Sequence, residues 1–132
     1  PRKGTRGYQL KSDARRAEFG NAGHLGAYLL QHSLHYLNSF GIKAIQEHAQ
    51  TMVQRLIASM AAAGCDVMTP NVPGEQAGNA AFVCRNTQDF VKKAAADGIL
   101  VWGDNNRIRA SAHLFTTRAD VDYFLERMPG YL

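Results

Sequence analysis

Apolar residues recur along this chain at two different periods, and the switch between them divides it. From about residue 22 to 40, Leu25, Leu29, Leu30, Leu34 and Leu37 return every three or four positions, which predicts an amphipathic helix. Gly41 ends that helix or bends it. From about 42 to 63 a second helix carries Ile45, Ala49, Met52, Leu56 and Met60 on one stripe, and Gly64 stops it. Residues 1–20 lack strong periodicity and read as a loop or arm. Beyond Gly64 the pattern changes. Residues 65–69 can form a strand, and Pro70, Pro73, Gly74 and Gly78 mark a loop. Residues 79–84 read as a buried strand, Thr87 to Asp97 as a helix stopped by Gly98, and Ile99 to Trp102 as a strand. Gly103-Asp104-Asn105-Asn106 has the composition of a hairpin turn. A return strand follows over 107–112, and a last helix over about 118–128. The predicted order is α-α-β-β-α-β-β-α. It implies an α+β fold, a small and mostly antiparallel sheet with helices on one face.

The return strand holds the densest chemistry. Ile108, Ala110 and Ala112 fall on one side of it, and Arg107, Arg109 and Ser111 on the other. One face is therefore apolar and the other polar and cationic. A guanidinium on a rigid strand, with a serine two residues on, is suited to a forked pair of hydrogen bonds to a carboxylate or phosphate. Thr117 followed by Asp120 is a variant of the helix-start signal, so a helix should open just after the strand.

Composition bounds this picture. A chain of 132 residues, 45% hydrophobic and 20% charged, is long enough for one domain with a real core. No apolar run is long enough to span a bilayer, and no signal peptide is visible, so a cytoplasmic location is expected with no membrane partner. The two cysteines, Cys65 and Cys84, read as free thiols. Of the net charge of +4, the excess sits in residues 1–16, where Arg2, Lys3, Arg6, Lys11, Arg15 and Arg16 face only Asp13. A basic leader can bind nucleic acid. No aromatic interleaving or nucleic-acid motif accompanies it, so nucleic acid is not the expected partner.

Three stretches, in order, carry a resemblance. Arg109-Ala110-Ser111 followed by Phe115-Thr116-Thr117 is similar to an Arg-x-Ser-x-x-x-Tyr-Asn-Thr signature. It lies in the C-terminal small domain of class V aminotransferase-like enzymes, which are fold-type-I and depend on pyridoxal 5'-phosphate. Thr116 stands where that family has asparagine. Upstream, Ala14-Arg15-Arg16-Ala17-Glu18-Phe19-Gly20-Asn21 resembles the family's Ala-Arg-Arg-Phe-Glu-x-Gly-Thr/Asn segment, with Ala17 in place of the phenylalanine. Gly41-Ile42 and Ile45 fit a helix start of the same family. The resemblance covers roughly residues 7–127.

The resemblance implies an arm or large-domain remnant over 1–20 and a small domain over 21–132. It gives Arg109 the α-carboxylate of an amino-acid substrate. Asn21 falls to the cofactor phosphate of a neighbouring subunit, which implies a homodimer in the complete enzyme. His24, close to Asn21, is a second candidate near the cofactor, and His113 a candidate for the carboxylate pocket. The family holds its cofactor through a lysine in a His-Lys motif of the large domain. None of Lys3, Lys11, Lys43, Lys92 and Lys93 follows a histidine, so catalysis is not encoded here and the large domain is a missing partner. Cysteine desulfurases of this type carry a reactive cysteine before the arginine strand. Residues 98–106 have none, which favours an aminotransferase, epimerase or lyase branch.

Other features read as ordinary. His32 and His35 are three apart on a helix, a spacing that can bind metal, but no third ligand pairs with them, and no metal site is expected. Gly20, Gly23 and Gly26 match neither the Walker loop nor the dinucleotide fingerprint. The residues alone leave another reading open: a non-catalytic α+β module that binds a small anion or a protein through Arg107, Arg109 and Ser111.

Overall fold

A computed structural model describes residues 11–18, 20 and 23–132. Contacts divide the chain into two compact units, 1–39 and 40–132. In the first, a 3-10 turn over Ala14–Ala17 is capped by Asp13, whose side chain accepts from the backbone N–H of Arg15. The Arg15 side chain also bonds that carboxylate and holds it below the usual range. Helix α1 runs His24–Phe40 and buries no residue; Leu25, Leu29, Leu30 and Leu34 of the predicted leucine side are exposed.

The second unit holds the sheet. Helix α2 (Ile42–Ala62) starts after Gly41, whose φ of +84° suits a residue without Cβ. Strand β1 (Asn79–Val83), helix α3 (Thr87–Ala96), strands β2 (Trp102–Asp104) and β3 (Arg107–Ser111), and helix α4 (Arg118–Arg127) follow. The sheet is antiparallel, in the order β1-β3-β2. Its α+β architecture and element order are those the sequence predicts.

Two predicted strands differ in extent. Residues 65–69 contribute one bridge, Val67 to Phe82, with Met68 N–H donating to the Ala81 carbonyl and Val83 N–H to the Asp66 carbonyl. The stretch from Ile99 to Val101 stays outside the sheet. Ile99 N–H is drawn back to the Ala94 carbonyl to close the end of α3, and pairing begins only at Trp102. The hairpin turn decides that register. Asn105 and Asn106 both have positive φ, 50° and 57°, as a two-residue type I′ turn requires. Asp104 therefore faces Arg107, Gly103 faces Ile108 and Trp102 faces Arg109.

The apolar sides of α2, α3, α4, β1 and β3 meet in one core. Val53, Ile57, Met60, Phe82, Phe90, Ile108 and Met128 are fully buried, with Leu56, Ala110, Ala112, Val121 and Phe124 close to it. Phe90 lies at its centre, edge-on to Phe82 at 5.6 Å and to Tyr131 at 5.3 Å. Such aromatic pairs stabilise by about 0.5–1.5 kcal/mol beyond area burial. Thr117 and Asp120 form a full capping box at the start of α4, and the Thr117 hydrogen bonds hold the Asp120 carboxyl below its usual range. Cys84 is buried and Cys65 half-buried, both free; burial pushes the Cys65 thiol up.

The Tyr131 hydroxyl donates to an Asp97 carboxylate oxygen, tying the chain after α4 to the end of α3. Burial first, and then that bond, pushes the Tyr131 hydroxyl from 10.0 up to about 12. The folded state thus keeps a proton that the unfolded state loses, so stability falls as pH rises between those two values. Tyr131→Phe should make this fall shallower and cost about 1 kcal/mol at neutral pH. Urea denaturation of both proteins across that pH range checks it, and parallel alkaline slopes would contradict it.

Candidate functional site

Helices α2 and α3 cover one face of the sheet and leave the other to polar side chains. Strand alternation places them. Ala80, Phe82, Ile108 and Ala110 point to the helices and are buried, while Ala81, Val83, Arg107, Arg109 and Ser111 point away. The antiparallel register adds Trp102 from β2 to that open face, directly across from Arg109.

The guanidinium carbon of Arg109 lies 5.3 Å from the centre of the Trp102 ring, and that of Arg107 lies 5.2 Å from it. Two cations therefore share one indole, each attracted by its quadrupole. Trp102 is 40% exposed. Arg109 and Ser111 are exposed and Arg107 is half-buried. Arg15, Arg55, Arg118 and Arg127 each have a carboxylate within ion-pair reach, but among the described residues Arg107 and Arg109 have none. The Arg107 Nε is buried and lacks an acceptor. An unmet buried donor is costly, and a planar guanidinium without a partner acid is free to receive one.

Asp104 is the acid nearest in register, facing Arg107 across the hairpin. Its carboxylate is turned to Asn105, accepting from the backbone N–H at 2.8 Å and the side-chain amide at 3.2 Å. That local bond stabilises the turn and leaves the arginines without a local acid.

The other expected residues lie elsewhere. His113 is exposed just past the end of β3. Its backbone N–H donates to the Thr116 hydroxyl, and its ring packs 5.5 Å from Phe115. It lines a cavity of about 330 Å³ with Ile42, Gln46 and Gln76, which does not include Arg109. His24 is exposed at the start of α1, and Asn21 lies outside the described residues. A larger cleft of about 390 Å³ opens beside Leu100, Phe115 and Tyr123, with core side chains beneath; it too excludes Arg107 and Arg109. Trp102 is the residue the sequence reading missed. Its signal was available: a two-residue turn at 105–106 puts position 102 opposite 109.

Among the described residues no cluster of His, Cys, Asp or Glu could hold a metal, and no helix is long and apolar enough to cross a membrane. Lys11, Lys43, Lys92 and Lys93 lie at the surface, and two of them pair with acids one turn away, Lys43 with Glu47 and Lys93 with Asp89. These residues do not by themselves fit an aldehyde cofactor, which needs a lysine presented in a pocket.

No family model and no curated protein matches the chain. Solved structures share its fold. A cysteine desulfurase from Thermococcus onnurineus NA1, in its apo form, superposes over 94% of this chain with a TM-score of 0.81 and 21% identity. A NifS-like protein superposes over 67% with a TM-score of 0.56 and 19% identity. This chain spans 35% of the first structure and 28% of the second.

Gly103 keeps the two-cation face in place. It sits across from Ile108, and a Cβ there would come within 2.7 Å of both the Ile108 Cδ1 and the Val91 Cγ2. Gly103→Ala should push β2 off the core, destabilise the unit by about 1–3 kcal/mol and shift the emission of Trp102. Denaturation followed by tryptophan fluorescence tests this; wild-type stability and spectrum would show that β2 tolerates the methyl.

Proposed function

We propose that this chain is the C-terminal small domain of a pyridoxal-phosphate-dependent, class V aminotransferase-like enzyme, and that Arg109 binds the α-carboxylate of its amino-acid substrate. The observation that carries this reading is an exposed guanidinium without a partner acid, on the sheet face that the helices leave open. The fold shared with about a third of a cysteine desulfurase supports it. The remainder of such an enzyme, a large domain with the Schiff-base lysine, would lie across that face.

The chemistry assigned to this chain is positioning. A carboxylate held by both arms of the Arg109 fork is fixed in orientation, and the direction of the bond that joins it to Cα is fixed with it. The Trp102 ring borders the fork at 5.3 Å and limits where it can swing, and Ser111 places a hydroxyl on the same face. Pyridoxal phosphate in the complete enzyme would supply the electron sink that weakens one of the bonds at Cα. Asn21 and His24 are assigned to the cofactor side, with Asn21 reaching a phosphate across a homodimer. The absence of a cysteine from residues 98–106 favours transamination, epimerisation or elimination over sulfur transfer.

Trp102 is the only tryptophan, so its fluorescence reports this face alone. L-alanine should change its emission saturably, and alaninamide, which lacks the carboxylate, should not. Arg109→Ala should weaken the response to L-alanine about tenfold or more, the size of a lost charge-assisted hydrogen bond. Equal responses to acid and amide, or an Arg109→Ala protein that binds as the wild type does, would overturn the assignment.

A further inference from the structure

One carboxylate uses one guanidinium, yet this face presents two. We propose that Arg107 binds a second anion on the same ligand, so that the substrate is a dicarboxylic amino acid. This rests on the role assigned to Arg109 and narrows the substrate class that role admits.

The two arginines stand at positions i and i+2 of one strand, so their side chains leave the sheet in parallel, about 6.6 Å apart at the backbone. Both end within 5.3 Å of the same ring centre, so each guanidinium borders the one indole. Neither has a carboxylate among the described residues, and one donor of Arg107 still lacks any acceptor. Two like charges held together without an intervening acid repel one another, and a ligand with two anionic ends removes that repulsion. In aspartate or glutamate the two carboxylates are roughly 4–5 Å apart at ordinary bond lengths, a span comparable to the backbone spacing of the two arginines. The one acid in register with Arg107, Asp104, is already engaged by Asn105.

The test is titration of Trp102 fluorescence in the full chain with L-alanine, L-aspartate and L-glutamate at constant ionic strength. The wild-type midpoints for the two diacids should lie about tenfold below that for L-alanine. Arg107→Gln should raise them to the alanine midpoint and leave alanine unchanged. Arg107→Lys, which keeps the charge and loses the fork, should fall between, and circular dichroism of each variant verifies the fold. Equal wild-type midpoints, or a preference for diacids that survives Arg107→Gln, would overturn the second-anion assignment alone. A preference for diacids that depends on Arg107 in a protein indifferent to Arg109→Ala would instead sink the carboxylate role of Arg109. A protein that responds to none of the three ligands would sink both.

Discussion

The turn at Asn105 and Asn106 sets the register on which both faces of the sheet depend. Two left-handed residues in succession make a hairpin without slack, so Asp104 must face Arg107 and every pair beyond follows. Strand side chains alternate with a period of two, and a slip of one position would exchange the faces. Ile108 would then leave the core, and Arg107 and Arg109 would be driven beneath the helices without partners. The cost of burying two unpaired guanidiniums is far larger than any single contact in this unit. The turn, the apolar side of β3 and the cationic side of β3 thus enforce one another.

The faces of β3 are legible in the sequence for the same reason, since alternating apolar and charged residues admit one orientation. Helix α2 is legible from its stripe, and α4 from its Thr117–Asp120 box. The strands at 65–69 and 99–102 are less so. Their β-prone residues show that an extended chain is favoured, but not which backbone groups find partners. At 65–69 one bridge and a few hydrogen bonds to β1 satisfy the segment. At Ile99 the end of α3 takes the amide that a strand would have used. Pairing is a property of two segments, and local composition reports on one.

The candidate site divides along the same line. Arg107, Arg109 and Ser111 belong to one strand, so their common face follows from spacing. Trp102 joins them only through cross-strand register, and residue type alone gives no hint of it. His113 is in step with Arg109 by alternation, but the strand ends at Ser111, and the backbone then bends to bond Thr116. His24 and Asn21 belong to a separate part of the chain, where periodicity predicts the helix and only resemblance speaks for a role.

The sheet is also guarded at both margins. Along β1 the outer row of amides and carbonyls is partly taken by residues 66–69, and β2 offers just three residues on the opposite side. Short or occupied margins give an extended segment from another molecule little to pair with. A sheet of three strands with one broad surface uncovered would otherwise be prone to pairing edge to edge. Here one margin is partly occupied and the other is short, so that surface can stay open with little backbone left for another molecule to pair with.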